Sequence, residues 1–167
     1  MNNLAEIYKQ SGKLDDAEAL LRRTVTIQER VQGKMHKNTL TTLGNLGSLL
    51  TKKGNTQEAL TIHRDVYESF RQTLGADHVT TLIAGSRLGQ SLCAAGKASE
   101  AEELMTTVVE SFQRTLGPGH GSTISSRRTL AKALRSLNRK AESEEQLRKA
   151  LDGARSVPNT SERLVRE

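Results

Sequence analysis

The heptapeptide GKMHKNT at residues 33–39 recurs as GADHVTT at residues 75–81 and as GPGHGST at residues 117–123. Each copy begins 42 residues after the one before it. A constant period of roughly 20 to 50 residues is typical of proteins built from stacked structural repeats. The sequence therefore predicts a repeat protein in which every copy of this loop occupies an equivalent position.

The loop histidines, His36, His78 and His120, raise the alternatives of a metal site or a catalytic set. Equivalent residues of stacked helical repeats are separated by about 10 Å for each helix layer, whereas a zinc ion holds its ligands at about 2 Å. The histidines of successive repeats therefore cannot share one metal ion. We predict instead that each belongs to a loop that leads into the first helix of a repeat.

The composition limits the kind of core that the chain can form. Its 167 residues are 35% hydrophobic, with 2% aromatic side chains and no tryptophan, which favours thin layers packed through Leu, Ala and Gly. The sequence has no apolar run of about 18 residues and no signal-peptide pattern, so we expect neither a membrane span nor secretion. A single cysteine, Cys93, excludes an internal disulfide and favours a cytoplasmic location.

Alignment at the 42-residue period gives columns of similar residues without an insertion. In the first half of each unit, two large apolar residues at the i, i+4 spacing of one helix face bracket a small residue. A glycine or asparagine then interrupts the pattern, as expected where a helix ends in a left-handed residue. The columns are Leu4, Leu46, Leu88 and Leu130; Ala5, Gly47, Gly89 and Ala131; Tyr8, Leu50, Leu92 and Leu134; and the breaks Gly12, Gly54, Gly96 and Asn138.

The second half of each unit predicts another helix, whose first turn is acidic in every copy, for example at Asp15, Glu58, Glu100 and Glu142. Negative charge at a helix N-terminus offsets the macrodipole by about 0.3–1 kcal/mol, so we assign these carboxylates a structural and not a catalytic role. The expected buried face of this helix contains Ala17, Ala59, Ala101 and Ser143; Leu21, His63, Met105 and Leu147; and Val25, Tyr67, Val109 and Leu151.

These patterns predict an all-α fold, a right-handed superhelical solenoid of about four helix-turn-helix repeats. The repeats are expected at residues 1–42, 43–84 and 85–126, with a partial fourth repeat at residues 127–154. We expect residues 155–167 to form a C-terminal tail or a short capping helix.

The order large, small, x, x, large in the first helix, followed by Ala-x-x-x-large in the second, resembles the tetratricopeptide repeat (TPR). The period of 42 residues is similar to that of the repeats in kinesin light chains. The resemblance is carried by MNNLAEIYKQSGKLDDAEALLRRTVTIQERV at residues 1–31, by Gly33 and His36, and by their later copies. It covers residues 1–154.

The chain departs from that family in two respects. The proline that usually follows the loop histidine is replaced by Lys37, Val79 and Gly121. The sequence also has no heptad coiled coil of the kind through which kinesin light chains join the motor heavy chain. We therefore do not expect direct assembly with a motor, and we interpret the chain as a stand-alone adaptor or as a fragment of a larger TPR scaffold.

The resemblance implies a non-enzymatic protein that binds a peptide segment of a partner in a concave groove lined by the first helix of each repeat. The implied peptide-binding residues are Asn2, Asn3, Lys9, Asn45, Ser48, Lys52, Gln90, Arg128, Lys132 and Arg135. The asparagine column of this groove persists at Asn3 and Asn45 and is then replaced by Arg87 and Thr129.

The formal net charge of +6 is concentrated in residues 127–167. Arg128, Lys132 and Arg135 follow one another at spacings of four and three, so they share one face of the predicted helix. One interpretation is an electropositive pocket for the carboxylates of an acidic peptide. The other is a solvated polar end of the last repeat, which every solenoid requires.

Two further kinds of partner are compatible with these patterns. The basic last repeat could bind nucleic acid, but all of the aromatic side chains lie outside it, so stacking partners for the bases are missing there. Exposed stacking edges at the ends of the array would allow self-association. We expect a protein or peptide partner of acidic character, and we disfavour nucleic acid and membranes.

No set of residues in the sequence converges on a catalytic site. Cys93 and His63 invite a nucleophile–base interpretation, but they lie on different helices of adjacent repeats, without an orienting group or an oxyanion hole. We expect a thiol in the core or groove and a histidine at the helix surface. The stretch GPGHG at residues 117–121 lacks the lysine and strand context of a phosphate-binding loop. The sequence thus predicts no enzyme, no cofactor and no metal site.

Overall fold

The apolar residues that recur three and four positions apart fold into helices throughout the part of the chain that the structure describes, residues 2–156. Met1, the side chain of Asn2 and residues 157–167 lie outside the described residues, and so does most of the predicted tail. In this computed structural model, the described residues form eight α-helices and no strand. The helices are α1 (Asn2–Gln10), α2 (Leu14–Gln32), α3 (Lys37–Lys53), α4 (Thr56–Leu74), α5 (Val79–Ala94), α6 (Ala98–Leu116), α7 (Gly121–Ser136) and α8 (Lys140–Arg155).

The helices pair in chain order, and the pairs stack. Each helix packs against the next one along the chain, and α3 also packs against α5, as α5 does against α7. The first helices of successive repeats therefore lie side by side and form one continuous layer. The prediction of an all-α repeat solenoid is confirmed. No helix among residues 2–156 is long and apolar enough to cross a lipid bilayer.

The turn inside each repeat ends the first helix with a residue in the left-handed region. Gly12, Gly54 and Gly96 have φ angles of 79°, 86° and 75°. In the fourth repeat Asn138 adopts φ of 61° and is the one described non-glycine residue with a positive φ. Asparagine tolerates this conformation better than most other residues, which confirms the predicted break at this position.

The loop between repeats uses its histidine to cap the helix that follows. Nδ1 of His36, His78 and His120 accepts a hydrogen bond from the backbone N–H two residues later, at 3.2, 3.1 and 3.1 Å. Each imidazole thereby satisfies one of the amide donors that a helix N-terminus leaves without a partner. This confirms the predicted loop that leads into the first helix.

The small-residue column of the first helix makes room for a large side chain of the second. A β-carbon on Gly47 would lie 2.7 Å from Nε2 of His63, and one on Gly89 would lie 2.2 Å from Sδ of Met105. Glycine therefore appears in the two central repeats, where the facing position of the second helix holds His63 or Met105. In the first repeat the column holds Ala5, which is buried in one cluster with Leu21.

The buried face predicted for the second helix of the fourth repeat is confirmed at Ser143, which is 6% exposed, but is wrong at the two leucines that follow. Leu147 and Leu151 of α8 are 47% and 50% exposed. Their counterparts Met105 and Val109 in α6 are 0% and 4% exposed, because α7 covers them. Among the described residues no later helix covers α8, so its leucines remain accessible.

The acidic first turns of the second helices also connect neighbouring repeats. Arg22 of α2 contacts Glu58 of α4 at 2.7 Å, and Arg64 of α4 contacts Glu100 of α6 at 2.8 Å. The two pairs are related by the repeat period. Exposed ion pairs of this kind contribute about 0–1 kcal/mol each, so they fix the alignment of repeats more than they stabilise the fold.

Candidate functional site

The layer of first helices contains a small cavity between the first three repeats. Its volume is about 140 Å³, and it brings together Lys9, Asn45 and Ser48 from the predicted peptide-binding set. The complete lining is Ala5, Glu6, Lys9, Leu21, Asn45, Ser48, Leu49 and Arg87. Polar side chains from α1, α3 and α5 thus converge on one point, although they are separated by tens of residues in the sequence.

The carboxylate in this cavity is already engaged by its own helix. Oε2 of Glu6 lies 2.6 Å from Nζ of Lys9, and Oε1 accepts a hydrogen bond from Gln10 at 3.3 Å. The hydrogen bond from Lys9 lowers the pKa of Glu6 below its usual value. Lys52, another predicted site residue, is exposed and donates to the backbone carbonyl of Lys9 at 3.4 Å. The charge of Glu6 is therefore already compensated by Lys9, whereas Lys52 adds a further positive charge at the surface.

Arg87 is the cationic side chain in the cavity that the predicted set did not include. Its guanidinium lies over the backbone of α3, with Nη1 2.7 Å from the point that a β-carbon on Gly44 would occupy. The side chain is half-buried, and burial lowers the pKa of Arg87. One signal was present in the sequence: an arginine stands in the column that holds Asn3 and Asn45. The burial of the Arg87 side chain could not be predicted from the sequence, because it depends on Gly44 in the preceding repeat.

A second and more open depression lies on the other side of Arg87. Its volume is about 250 Å³, and it includes Gln90, another residue of the predicted set. The other lining residues are Ile83, Ser86, Arg87, Phe112, Gly121, Ser122 and Ser125. None of these residues is acidic, and Ile83 is 40% exposed. The groove thus continues from the first repeat to the start of α7, with Arg87 shared between its two depressions.

The basic residues of α7 form a separate exposed surface. Arg128, Lys132 and Arg135 are all exposed, and none forms an ion pair with another residue in the range 2–156. They do not line either of the two depressions described above. Asn3 is likewise exposed and outside both depressions, and the side chain of Asn2 is not among those described.

Arg127, their neighbour on the same helix, has a different role. It is 6% exposed and donates to Oε1 of Gln146 at 2.7 Å and to Oε1 of Gln113. Burial lowers its pKa. The four basic residues of α7 therefore divide into one that ties α7 to α6 and α8 and three that face outwards.

His63 is buried, which confirms its predicted place on the buried face of the second helix and contradicts the separate expectation of a histidine at the helix surface. It is 3% exposed. Nε2 donates to the carbonyl of Gly44 at 3.1 Å, and Nδ1 accepts from Oγ of Ser91 at 2.7 Å, which fixes the neutral tautomer. Burial, with a smaller contribution from the charge of Arg87, lowers the pKa of His63 to about 4. The missing side chain at Gly47 is what allows the ring to enter the core.

The nucleophile–base interpretation of Cys93 and His63, which the sequence already disfavours, finds no support in these contacts. The two ring nitrogens of His63 are engaged in hydrogen bonds, one with Ser91 and the other with Gly44. Sγ of Cys93 donates instead to the carbonyl of Thr129 at 3.8 Å. Burial raises the pKa of Cys93, which favours the unreactive thiol. Within residues 2–156, no group of three or more His, Cys, Asp or Glu side chains is arranged to hold a metal ion.

Comparison with known proteins gives one family match and several structural neighbours. The family model described as Tetratricopeptide repeat matches residues 1–72, 41–104 and 79–156. Among curated proteins, no sequence relative matches the chain at a significant level.

Two of the similar crystal structures are of nearly identical TPR-like repeats from a Podosopora anserina protein assigned as a kinesin light chain. One of them, a form in which methionine replaces a glutamine, has 28% sequence identity and a TM-score of 0.77, over 91% of this chain and 72% of that one. The other has 27% identity and a TM-score of 0.75, over 95% and 75%. A third, BtubC (BKLC) from P. vanneervenii, has 15% identity and a TM-score of 0.81, over 93% and 64%, and is similar in fold alone.

Proposed function

Because the chain belongs to the tetratricopeptide repeat family, whose repeats generally mediate contacts between proteins, we propose that it is a non-enzymatic adaptor that holds a short acidic segment of a partner protein. The segment binds along the groove on α1, α3, α5 and α7. The proposed contact residues are those of the predicted set: Asn2, Asn3, Lys9, Asn45, Ser48, Lys52, Gln90, Arg128, Lys132 and Arg135.

The observation that carries this proposal is the excess of unpaired positive charge along one layer of helices. Arg128, Lys132 and Arg135 have no carboxylate partner among residues 2–156, while the acidic residues of the second helices are mostly paired with arginine or lysine. An acidic segment that lies along the first helices would supply the missing partners. Hydrogen bonds from the arginines to carboxylates would be charge-assisted and geometrically specific.

Binding in this arrangement has two components. The exposed cations of α7 attract an acidic segment at long range and speed its association, an effect that salt weakens. The polar side chains of the cavity, such as Asn45 and Ser48, then hold the segment in register through hydrogen bonds. Since the helices are already stacked before a partner arrives, the groove loses little conformational entropy on binding.

A fluorescence-anisotropy titration tests the proposal. The probes are fluorescein-labelled peptides of about twelve residues that contain glutamates and one aromatic residue, applied to the protein at low and at high ionic strength. The test variant is Arg128→Glu/Lys132→Glu/Arg135→Glu. We expect saturable binding that weakens with salt and is lost in this variant.

A second triple variant, Arg23→Glu/Arg30→Glu/Lys140→Glu, provides the matched control. It changes the net charge by the same amount, but its three exposed residues lie on α2 and α8. If both triple variants weaken peptide binding equally, the effect comes from the overall charge of the protein, which would contradict the proposed site. Binding of a single-stranded RNA probe in preference to every peptide would favour the nucleic-acid alternative.

A cytoplasmic location and self-association through the ends of the array are further proposals. For the second, analytical ultracentrifugation over a range of concentrations is the direct measurement. A constant sedimentation coefficient would argue against self-association.

A further inference from the structure

The two ends of the array expose apolar side chains whose equivalents inside the array are buried. On α1, Leu4 and Ile7 are 44% and 59% exposed. At the same two positions of the later repeats the side chains are buried, namely Leu46, Leu88 and Leu130 for the first position and Leu49, Ser91 and Ala133 for the second. These positions of a first helix are therefore the ones that the preceding repeat covers, and among the described residues no repeat precedes α1.

The outer face of α8 is exposed in the complementary way. Leu147 and Leu151 are accessible because no described helix follows α8. In the first repeat, Leu21 stands at the position of Leu147. It packs in one buried cluster with Leu46 and Leu49 of the following helix, α3. The residues of α1 that correspond to the latter pair are the two exposed ones, so each end of the array carries one half of the apolar contact that joins neighbouring repeats.

The charges at the two ends correspond to an ion pair that joins neighbouring repeats. The contact of Arg22 with Glu58, at 2.7 Å, recurs one period later between α4 and α6. The fourth repeat has Arg148 at the first of these positions, and the first repeat has Asp16 at the second. Arg148 contacts carboxylates of its own helix alone, and Asp16 takes part in no ion pair within residues 2–156. Both side chains are exposed.

A second ion pair between neighbouring repeats has its charges in the reverse order. Arg139, just before α8, contacts Glu102 of α6. The equivalent residues at the ends of the array are Lys13, just before α2, and Glu144 of α8. Both are exposed, and neither forms an ion pair in the described part of the chain. The α8 end therefore supplies a cation to one contact and an anion to the other, and a single alignment of two copies forms both.

We propose that the outer face of α8 binds the outer face of α1 and α2 in a second copy of this chain, in the alignment of one further repeat. The contacts are Leu147 and Leu151 with Leu4 and Ile7, Arg148 with Asp16, and Glu144 with Lys13. The apolar residues supply most of the affinity, and the exposed ion pairs fix the alignment. This inference specifies the surfaces of the self-association proposed above, and it does not depend on peptide binding.

The contact is heterologous, because each copy uses a different surface of itself. A bound pair therefore keeps one free surface of each kind, and further copies can add to it. Since α5 packs against α7 inside the array, α7 lies beside α1 of the next copy in this arrangement. The layer of first helices thus continues from one copy into the next, and an assembly offers several grooves in line to a partner with repeated binding segments.

Sedimentation velocity of two variants, each blocked at one end, tests the proposed contact. The α8-blocked variant is Leu147→Glu/Leu151→Glu, and the α1-blocked variant is Leu4→Glu/Ile7→Glu. All four leucine and isoleucine side chains are exposed, so the substitutions leave the buried clusters intact. Circular dichroism and thermal unfolding show that each variant keeps its fold before it is used.

We expect the sedimentation coefficient of the natural protein to rise continuously with concentration, and each blocked variant to remain a monomer by itself. An equimolar mixture of the two variants should form a dimer and nothing larger, because each variant retains the surface that the other lacks. A natural protein that stays monomeric at every concentration would overturn the inference. So would a blocked variant that associates with itself as strongly as the natural protein, since this would mean that two identical surfaces meet.

A charge exchange tests the alignment of the two copies. Arg148→Glu and Asp16→Arg should each weaken association about twofold to fivefold, as expected for an exposed ion pair. The double variant Arg148→Glu/Asp16→Arg has the net charge of the natural protein and the same pair with its charges exchanged, so it should recover most of the lost affinity. A double variant whose loss equals the sum of the two single losses would show that these residues do not meet.

The end-to-end contact and the adaptor function fail in distinguishable ways. A natural protein that binds acidic peptides through α7 but stays monomeric would contradict the contact and leave the adaptor function intact. Association that the blocked variants abolish, without binding of any peptide, would support the contact and contradict the adaptor function.

Discussion

Nη1 of Arg87 lies 2.7 Å from the point where a β-carbon on Gly44 would stand, so the missing side chain in one repeat accommodates the cation of the next. The contact joins α3 to α5 across the groove. The close packing of the first helices therefore determines where the groove carries the positive charge of Arg87.

The first prediction concerns Gly44→Ala. The new methyl group meets the end of a flexible side chain, so Arg87 can move aside at small cost, and alanine is the better helix former by about 1 kcal/mol. We expect the free energy of unfolding to be unchanged or slightly raised, whereas the affinity for acidic peptides falls about threefold to tenfold. Urea denaturation and anisotropy measure the two quantities.

Gly121→Ala is the matched control for this prediction, because nothing lies within 4 Å of a β-carbon at that position. Because Gly121 lines the second depression, this control serves the stability measurement alone, where it should show at most the gain in helix propensity without a change in side-chain contacts. If the Gly44→Ala protein binds the peptide as tightly as the natural protein, the position of the Arg87 guanidinium over Gly44 does not contribute to binding.

The second prediction concerns Gly47→Ala, which should destabilise the fold. Its β-carbon would lie 2.7, 2.9 and 3.1 Å from three atoms of the His63 ring, which is rigid and 3% exposed. Overpacking of a core typically costs about 1–3 kcal/mol, which exceeds the gain in helix propensity. Urea denaturation should show a lower midpoint at constant slope.

The double variant Gly47→Ala/His63→Leu tests the cause of that loss. It reproduces the combination of Ala5 and Leu21 that packs in the first repeat. We expect it to recover stability relative to Gly47→Ala. The single variant His63→Leu completes the comparison. If the stability lost in the double variant equals the sum of the losses in Gly47→Ala and His63→Leu, the methyl group and the ring do not conflict directly.

The third prediction is a loss of stability as the pH falls from about 6.5 towards 4. The pKa of His63 is lowered to about 4 by burial in the folded protein, so in this range the unfolded chain binds a proton that the folded protein does not. The free energy of unfolding should therefore fall by about 1.4 kcal/mol for each pH unit, or about 3 kcal/mol in all. Above pH 6.5 this contribution should be constant.

His63→Met isolates that effect, since methionine occupies the equivalent position at residue 105. The free energies of unfolding of the natural protein and of His63→Met should be compared between about pH 6.5 and 5. This interval lies above the range in which the carboxylates of Glu6 and Glu18 bind protons. The difference in stability between the two proteins should change with pH. A difference that is constant across this interval would mean that His63 keeps an ordinary pKa.

The fourth prediction concerns the caps between repeats. His78→Ala removes the Nδ1 acceptor of the Thr80 amide and should destabilise the protein by about 1 kcal/mol. His78→Asn retains a side-chain acceptor and should lose less. Thermal unfolding of the two variants gives the comparison, and identical losses would show that the imidazole contributes by packing and not by capping.

The sequence predicted those features that depend on spacing within one repeat. The period, the helix-ending residues Gly12, Gly54 and Gly96, the left-handed Asn138 and the capping loops all follow from local residue preferences, and each is present in the structure. The resemblance to the tetratricopeptide repeat implied that Lys9, Asn45 and Ser48 belong to the groove, and these three residues line one cavity.

The features that were missed depend on contacts between repeats. The pattern placed His63 on a buried face, but the space for its ring is provided by the glycine at residue 47 on the facing helix, and the burial of Arg87 depends on Gly44 in the preceding repeat. Leu147 and Leu151 are exposed because no further described helix stacks on α8. A column of similar residues reports the face of a helix, but it does not report which neighbour approaches that face or how closely.

The most direct test of the central claim, that the layer of first helices is the binding surface, is chemical-shift mapping of the ¹⁵N-labelled protein with the tightest-binding acidic peptide. We predict that the largest changes fall on α1, α3, α5 and α7, among them the amides of Lys9, Ser48 and Gln90. Changes concentrated on α2, α4, α6 and α8, with the first helices unaffected, would contradict the account.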